Sequence, residues 1–417
     1  MHNRTRFIWL VLFGLILLVD PLVYPLLGDM LKAAGTELYA WLYWMIPVVL
    51  LVWFFVLMRF YSFYDRNPAV QNKYFHFFGI FILFYIPKLF YMIPALVEWL
   101  INRSIDLISM YEIDIQIISQ VSGVLATALF LLILYGMVYG RFHFKKEPVI
   151  LRHEELPEGF DGFRIVQISD IHMGSWAGHQ KKMQRAVDLI NQQKPDLIVF
   201  TGDLFNNFYE EIHGFQDILN QLHAPFGKYA VLGNHDYGDY FHWPSHEAYQ
   251  DNFQQVKSAY QEVGFQLLLN EGVHLSTGDE QMGLAGVENW GLPPFHQYGD
   301  LNGAMAQLNG TAFNILLSHD PSHWRAQVLK NGMVQLTLSG HTHGMQFGIF
   351  TPGFRWSPSK AKYPEWGGLY REGNRYLYVN KGLGYIGFPG RVGIRPEITL
   401  ITLQKKEGTG KVPSSSQ

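Results

Sequence analysis

Long apolar segments dominate the start of the chain. Residues 7–27, 38–58, 75–97 and 121–140 are almost entirely apolar, and the second and fourth segments contain no charged residue. A helix needs roughly 20 such residues to cross the hydrocarbon core of a bilayer, so the pattern predicts four transmembrane helices. The first segment lacks a small-residue cleavage site and is followed by three more segments, which argues against a signal peptide.

Two charges interrupt these segments, Asp20 in the first and Lys88 in the third. If both segments start at the same membrane face, the two charges lie at similar depth. A lone charge there is costly, and a partner of opposite sign lowers the cost, so one interpretation is an ion pair between the two helices. The alternative is that each side chain extends separately to the outer interface.

Basic residues around the apolar segments predict the orientation of the chain. Eight lie before the first segment, between the second and third, or after the fourth: Arg4, Arg6, Arg59, Arg66, Lys73, Arg141, Lys145 and Lys146. The other two loops hold one each, Lys32 and Arg103. Because cytoplasmic loops carry the excess of Lys and Arg, we expect both termini and the C-terminal part of the chain on the cytoplasmic side.

From about residue 150 the pattern changes to short aliphatic runs that alternate with amphipathic segments. Strands are predicted at 163–169, 196–201, 227–233, 313–318 and 335–339, and helices at 179–193, 208–222, 245–263 and 321–330. This alternation is typical of an α/β domain with buried strands. We therefore expect a four-helix transmembrane domain at 1–146, an α/β domain at 147–404 and a disordered polar tail at 405–417.

The composition narrows the chemistry. Charged residues make up only 16% of the chain, against about 25% in soluble domains, which agrees with a part that lies in lipid. A net charge of −3 gives no sign of a nucleic-acid partner. The chain has no cysteine, which excludes disulfides, thiolate catalysis and zinc–thiolate sites. His, Asp, Glu and Asn remain as metal ligands.

Each predicted strand in this second part is followed by polar residues that can bind metal. In chain order they are Asp170 and His172 in "SDIHMG", Asp203 in "TGD", Asn234, His235 and Asp236 in "GNHDYG", His319 in "SHDP", and His341 and His343 in "SGHTHG". The carboxyl ends of strands are where open α/β sheets place their sites. A mononuclear site needs only three or four protein ligands. Seven of these residues are counted as donors, enough for two ions with Asp203 as the natural bridge: Asp170, His172, Asp203, Asn234, His319, His341 and His343.

The five motifs, in this order, resemble the calcineurin-like metallophosphoesterases. The segment "VNKGLGYIGFPGRVGIRPEITLITL" at 379–403 is similar to the bacterial YaeI/YkuE-like branch and to transmembrane proteins with a metallophosphoesterase domain. The resemblance implies two packed β-sheets flanked by helices, two divalent metal ions (Mn, Fe, Zn or Co) and, from its bacterial branch, an inner-membrane location. One position departs from the family's habit: many relatives have glycine where this chain has Met345.

The resemblance also implies a role for each motif residue. One metal would take Asp170, His172, Asp203 and His343, and the other would take Asp203, Asn234, His319 and His341. His235 would act as general acid, oriented by Asp236, and Asn234 would also lie beside the substrate. The sequence suggests that Arg391 in "GFPGRVG" contacts the substrate phosphate through its planar fork. The alternative is a surface arginine that pairs with Glu397 or solvent.

Three functions are compatible with these features. The first is hydrolysis of phosphodiester or pyrophosphate bonds in a lipid-linked or membrane-proximal substrate, with membrane lipids as partners. The second is a tethered phosphoesterase for soluble substrates such as nucleotides. The third is a membrane sensor or transport protein that uses the domain as a module, although two intramembrane charges make a poor ion path.

Overall fold

The computed structural model describes residues 2–32, 38–62, 65–108 and 116–406. The chain forms two compact units: Met1–Asp65 with Lys73–Val138, and Arg66–Asn72 with Tyr139–Gln417. The expected domain boundary at residues 146 and 147 stays a prediction. So does the disordered tail, which lies outside the described residues except for Lys405 and Lys406.

Four long helices form the first unit, in agreement with the apolar pattern. They are α1 His2–Lys32, α2 Leu38–Phe60, α3 Pro68–Ile108 and α4 Ile117–Val138. Each is long and apolar enough to cross a membrane. Helix α3 has 41 residues, so it is about 60 Å long, roughly twice the thickness of the hydrocarbon core. It therefore continues well beyond the predicted segment 75–97.

The two intramembrane charges pair with each other. Lys88 Nζ lies 2.5 Å from Asp20 Oδ1, and the Tyr85 hydroxyl donates to the other carboxylate oxygen. Asp20 is fully buried. The Tyr43 hydroxyl donates to the backbone oxygen of Asp20 at 2.9 Å. The predicted ion pair between α1 and α3 is therefore confirmed, and the alternative of separate extension to the interface is wrong.

A second buried carboxylate in this unit caps a helix. Glu98 on α3 accepts hydrogen bonds from the backbone N–H groups of Ile118 (2.7 Å) and Ser119 (3.1 Å). These N–H groups belong to the first turn of α4, where no intrahelical acceptor is available. A negative charge at a helix N-terminus is also favourable for the helix dipole. Glu98 thus fixes the start of α4 against α3.

The second unit is an α/β domain with two six-stranded sheets. The strands in chain order are β1 Lys145–His153, β2 Arg164–Ile168, β3 Leu197–Phe200, β4 Lys228–Ala230, β5 Gln266–Leu267, β6 Glu271–Thr277, β7 Glu280–Gly286, β8 Asn314–Leu317, β9 Leu336–Ser339, β10 Ile349–Thr351, β11 Phe354–Trp356, β12 Gly368–Glu372, β13 Arg375–Val379 and β14 Glu397–Lys405. One sheet has the order β1-β14-β2-β3-β4-β5 and the other β12-β13-β9-β8-β7-β6, while β10 and β11 form a separate hairpin.

The two sheets pack against each other through one shared core. Ile165 and Val199 from the first sheet are buried in the same cluster as Leu284, Ile315 and Leu338 from the second. Helices cover the other faces: α5 Gln180–Asn191, α6 Gln216–Leu219, α7 His246–Glu262, α8 Leu301–Ala306 and α9 Leu329–Asn331, the last preceded by a π-helical turn at Trp324–Val328. The predicted architecture of two packed sheets flanked by helices is confirmed.

The sequence predicts one continuous helix at 208–222, and this prediction is wrong. The structure has a 3₁₀ turn at Tyr209–Ile212 and then the short helix α6. Gly214 lies between them with a φ of +82°, a left-handed conformation that glycine adopts readily and that ends a right-handed helix. The apolar residues keep a helical spacing across 208–222, so the sequence pattern does not indicate this break.

Candidate metal centre

The polar motifs lie where the two sheets bring their strand ends together. Strands β2, β3 and β4 are parallel neighbours in one sheet, and β8 and β9 are parallel neighbours in the other. Parallel neighbours end at the same edge, so the residues that follow these strands share one region. The structure brings all seven predicted metal-binding residues into that region.

One cluster is formed by Asp170, His172 and His343, with Asp203 beside it. His343 Nε2 lies 3.2 Å from Asp170 Oδ1 and 3.0 Å from His172 Nε2. His172 Nε2 lies 3.6 Å from Asp203 Oδ2. One ligand atom from each of Asp170, His172 and His343 lies within 4.8 Å of the others, and all three residues are buried.

A second cluster lies on the other side of Asp203. His319 Nε2 is 3.3 Å from Asp203 Oδ2. His341 Nδ1 is 3.2 Å from His319 Nε2 and 2.8 Å from Asn234 Oδ1. Because the same oxygen of Asp203 approaches both His172 and His319, this carboxylate lies between the two clusters. Asp170 is also close to the second cluster, since its ligand atom lies within 4.8 Å of those of Asp203 and His319.

Backbone strain is concentrated in these loops. Five of the seven residues have the positive φ of a left-handed conformation: Asp170, His172, Asp203, His341 and His343. Such a conformation costs a non-glycine residue roughly 1–3 kcal/mol and is found mainly at functional sites. Close approach adds a second constraint, because a Cβ at Gly233 would lie 2.2 Å from Asp203 Oδ1. The fold holds these side chains together at a cost in stability.

Burial keeps three of the four imidazoles neutral. It lowers the pKa of His341 and His343, and it takes the pKa of His172 well below the usual value. A buried imidazolium loses the hydration that stabilises its charge. The three rings are therefore neutral near pH 7, which is the form in which a ring nitrogen binds a metal ion.

His319 and the two aspartates behave differently. Burial alone lowers the pKa of His319, but the carboxylate of Asp203 overrides it and raises this pKa to about 10. Burial alone raises the pKa of Asp203, yet His319 and its neighbours hold it well below its usual value. The carboxyl of Asp170 is likewise held low, mainly by His343. The centre thus contains two carboxylates, Asp170 and Asp203, and one protonated imidazole, His319. Its net charge is therefore negative, which favours the binding of cations.

These residues fit divalent cations. They offer four imidazoles, two carboxylates and one amide oxygen, a donor set that suits Mn, Fe, Zn or Co. His172 Nε2 and His343 Nε2 face each other at 3.0 Å. When both rings are neutral, one of these nitrogens can donate a hydrogen bond only if the other presents its lone pair. A cation between the two rings would use both lone pairs. The residues could therefore hold two ions that share Asp203.

His235 lies beside the centre, but Asp236 does not orient its ring as expected. His235 Nδ1 is 2.8 Å from the backbone oxygen of Asn206, and the backbone N–H of His235 donates to Asp203 Oδ1 at 2.8 Å. The Asp236 carboxylate instead accepts from backbone N–H groups, those of Asp203 (2.9 Å), Gly233 (2.8 Å) and Phe205 (3.1 Å), and from the hydroxyl of Tyr260 at 2.8 Å.

Asp236 therefore holds the loops that carry Asp203 and His235. Burial and the nearby charge of Asp203 raise the pKa of Asp236 to about 7. The carboxylate supports the site through the main chain, because its two oxygens are already occupied by donors from the ends of β3 and β4.

Arg391 lies beneath the centre and not on the surface. It is only 2% exposed, so the surface-arginine alternative is wrong. Its guanidinium donates to backbone oxygens of residues 343, 381, 382 and 384, and Nη2 lies 3.0 Å from His343 Nδ1. Glu397, the expected partner in that alternative, pairs with Lys381. The geometry places Arg391 behind His343, with its donors already engaged.

Three residues beside the centre were not identified from the sequence. The Tyr363 hydroxyl lies 2.8 Å from His341 Nε2, and Asp320 Oδ2 lies 3.5 Å from the same nitrogen. The Tyr240 hydroxyl accepts a hydrogen bond from Asn234 Nδ2 at 2.7 Å. Only Asp320 had a sequence signal, since it directly follows His319 in "SHDP". The two tyrosines lie in segments without a motif.

Comparison with known families agrees with this geometry. Residues 163–345 match the calcineurin-like phosphoesterase family. Residues 4–141 match a second family, described as a probable calcineurin-like phosphoesterase transmembrane domain. The two matches correspond to the α/β part and the apolar helical part of the chain.

Individual relatives match between 60% and 66% of this chain. The metallophosphoesterase YkuE of Bacillus subtilis, which is uncharacterised, is 36% identical over 255 residues, which cover 60% of this chain and 82% of YkuE. The transmembrane protein with metallophosphoesterase domain of Danio rerio is 31% identical over 284 residues, which cover 66% of this chain and 60% of that protein. The Bos taurus protein of the same description is 32% identical, over 60% of this chain and 54% of that protein. This membrane protein belongs to the calcineurin-like metallophosphoesterases, hydrolases of phosphoester bonds, and carries the family's catalytic domain together with a four-helix transmembrane domain.

Proposed function

We propose that this protein uses two divalent metal ions to hydrolyse phosphodiester or pyrophosphate bonds in a lipid-linked or membrane-proximal substrate. The observation that carries the proposal is the convergence of seven residues with metal-binding side chains, six of them buried and His341 half-buried, at the strand ends of a chain that also has four helices long and apolar enough to cross a membrane. A substrate held in the bilayer would remain close to a catalytic domain that is tethered to the same membrane.

The proposed ligands divide into two sets. One ion is held by Asp170, His172, Asp203 and His343, and the other by Asp203, Asn234, His319 and His341. Two such ions would supply positive charge for the phosphoryl oxygens and would activate water as a nucleophile near neutral pH. The neutral state of His172, His341 and His343 supports these assignments, because a protonated imidazole cannot bind a metal ion. His319, whose pKa is raised by Asp203, would have to release its proton when an ion binds.

His235 is the proposed general acid. Its Nδ1 faces the backbone oxygen of Asn206, which fixes the ring and leaves Nε2 to exchange a proton with the leaving group. An ester oxygen leaves more readily when it is protonated, and a histidine can supply that proton near neutral pH. Asp236 supports this step by holding the backbone of the two loops.

Asn234 and Arg391 complete the proposed site in different ways. Asn234 Nδ2 donates to Tyr240, which turns the amide oxygen toward His341 and leaves the residue at the edge where a substrate would enter. Arg391 was expected to contact the phosphate directly. Its hydrogen bonds to backbone oxygens and its contact with His343 Nδ1 favour a positioning role behind that ligand.

The proposed location is a bacterial inner membrane, with both termini and the catalytic domain in the cytoplasm. The support is the distribution of basic residues around the apolar segments, eight on one side and two on the other. Cytoplasmic loops carry this excess because basic residues resist translocation. On this topology the substrate lies in the inner leaflet or near it.

The function can be tested on the full chain, purified in detergent. Metal analysis should find two ions per chain. Activity should be compared on a soluble diester, a monoester and a lipid pyrophosphate. Asp203→Ala and His235→Ala should each abolish turnover, while the exposed control changes Asp188→Ala and His242→Ala should leave it intact. Full activity in either site variant would refute the assignment.

The same assay separates the alternatives. A tethered enzyme for soluble substrates would turn over nucleotides faster than any lipid-linked phosphate. A sensor or transport protein would show no hydrolysis. The ion pair of Asp20 and Lys88 gives that alternative little support, because each charge is already neutralised by the other.

A further inference from the structure

The hairpin of β10 and β11 has one apolar face that is about half exposed. Ile349 lies opposite Trp356, and Thr351 lies opposite Phe354. Because side chains alternate across a strand, these residues share one face of the hairpin, while Phe350 lies on the other. Ile349, Phe354 and Trp356 are 48%, 56% and 50% exposed. We call Ile349, Thr351, Phe354 and Trp356 the outer face.

The inner face attaches the hairpin to the domain. The Phe350 ring packs edge-on against Trp366, with 5.6 Å between the ring centroids. Lys381 Nζ lies 3.8 Å from the centre of the same ring. One face of the hairpin is thus anchored, so the exposure of the outer face is not a result of a detached loop. An exposed cluster of large apolar side chains on an ordered element indicates an interaction surface.

The charge around the outer face indicates what kind of surface it would contact. Residues 345–363 contain no acidic residue and three exposed basic residues: Lys360 and Lys362 follow the hairpin, and Arg355 lies opposite Phe350 on the inner face. Tryptophan and phenylalanine flanked by Lys and Arg are typical of protein surfaces that lie at the headgroup level of a bilayer. The basic residues complement anionic headgroups, each contributing about 1 kcal/mol near such a surface.

Both ends of this segment are tied to the metal centre. It starts with Met345, two residues after His343, and Met345 holds its exposed side chain with a φ of +45°. It ends at Tyr363, whose hydroxyl lies 2.8 Å from His341 Nε2. A surface that contacts the outer face would therefore lie along a segment that begins two residues after one proposed ligand, His343, and ends at a residue in contact with another, His341.

We propose that the outer face, together with Met345, seats on the headgroup region of an anionic bilayer and places lipid-linked phosphates at the entrance to the metal centre. The second part rests on the proposed function, whereas the first part does not. A protein partner is the other way to cover an apolar face. The absence of acidic residues and the membrane-spanning helices of the same chain favour the bilayer.

The cysteine-free chain makes the seating directly measurable. Single variants Ile349→Cys and Phe354→Cys would carry a spin label on the full chain in nanodiscs of phosphatidylcholine, with and without phosphatidylglycerol. Asp279→Cys, at the exposed turn between β6 and β7, is the matched control. Accessibility to oxygen reports lipid, and accessibility to a water-soluble nickel reagent reports solvent.

With phosphatidylglycerol present, the labels at 349 and 354 should become oxygen-accessible and nickel-protected, while the label at 279 stays in water. Equal nickel accessibility at all three positions would overturn the seating. Protection that is independent of phosphatidylglycerol would overturn the anionic preference. Protection that occurs in native membranes but not in the nanodiscs would show a protein partner and also reject the proposal.

Kinetics test the second part separately. The double change Phe354→Ser with Trp356→Ser should lower kcat/KM for a lipid pyrophosphate in anionic nanodiscs about tenfold, because the apolar contribution to seating is lost. Its rate on soluble bis-p-nitrophenyl phosphate should not change. Asp279→Ser with Gln281→Ser is the control pair. An unchanged rate on lipid would reject delivery by this face. Seating without any hydrolysis of lipid pyrophosphate by the unmodified chain would instead reject the proposed function.

Discussion

The hydroxyl of Tyr363 lies 2.8 Å from Nε2 of His341, on the side of the ring that faces away from the proposed metal. Asp320 Oδ2, buried and without a hydrogen bond among the described residues, lies 3.5 Å from the same nitrogen. A negative charge and a hydroxyl at this position favour a proton on Nε2. The lone pair is then on Nδ1, which faces Asn234 and His319, as metal binding through Nδ1 requires.

Replacing Tyr363 with phenylalanine should weaken metal binding at this half of the centre. The substitution removes the hydroxyl and leaves the ring, so packing is retained while the preferred tautomer of His341 is less favoured. Loss of such a partner typically lowers metal affinity or activity about 10- to 100-fold. Titration of the metal-free full chain with Mn²⁺ should show one site weakened and the other unchanged.

Tyr376→Phe is a suitable control, because that hydroxyl has only a long contact of 3.4 Å with the backbone oxygen of Arg152. If Tyr363→Phe binds two metal ions as tightly as the unmodified chain, the hydroxyl has no part in orienting His341. Asp320→Asn should weaken the same site. Together with Tyr363→Phe it should cost less than the sum of the two changes, since both act on one ring nitrogen.

His235→Asn should affect substrates according to their leaving groups. An alkyl ester needs a proton on the departing oxygen, so we expect its kcat to fall by roughly 10²- to 10⁴-fold. A p-nitrophenyl ester leaves without much protonation and should lose far less. Equal losses on both substrates would show that His235 binds or positions the substrate and does not protonate the leaving group.

The positions of the predicted metal-binding residues follow from local rules. Buried strands place their following residues at one edge of a sheet, and a glycine after the strand allows the chain to turn. These rules are why the sequence predicts that Asp203 after β3 and His319 after β8 lie in one region. The pairing of Asp20 with Lys88 is also predictable from the sequence, because an unpaired charge in lipid has a high free energy.

Other relationships depend on tertiary positions that carry no local signal. The carboxylate of Asp236 binds N–H groups on two different loops, and Arg391 binds carbonyl groups that surround it from several directions. Neither set of partners can be derived from the spacing of side chains along the sequence. Tyr363 lies 20 residues after His343 in a segment with no motif, so only the fold shows that it contacts His341.

The ion pair in the membrane unit gives a prediction about stability. Lys88→Met should destabilise the chain by about 3–5 kcal/mol, because it leaves the fully buried Asp20 without a countercharge. Combining it with Asp20→Leu should recover most of that loss. Unfolding of the detergent-purified chain measures both. A double variant no more stable than Lys88→Met would contradict an energetic pairing. Arg103→Met, in an exposed pair with Asp106, should change stability by less than about 1 kcal/mol.

Met345 stores strain that glycine would relieve. Its φ of +45° and ψ of +24° lie in the left-handed region, which costs an L-residue with a side chain roughly 1–2 kcal/mol. Met345→Gly should therefore raise the free energy of unfolding by about 0.5–1 kcal/mol, after the greater flexibility of glycine in the unfolded chain is subtracted. The exposed Met333 does not have a positive φ, so Met333→Gly should instead lower stability. Thermal unfolding of the two variants side by side decides the matter: if Met345→Gly is destabilised as much as Met333→Gly, the conformation at residue 345 is not strained.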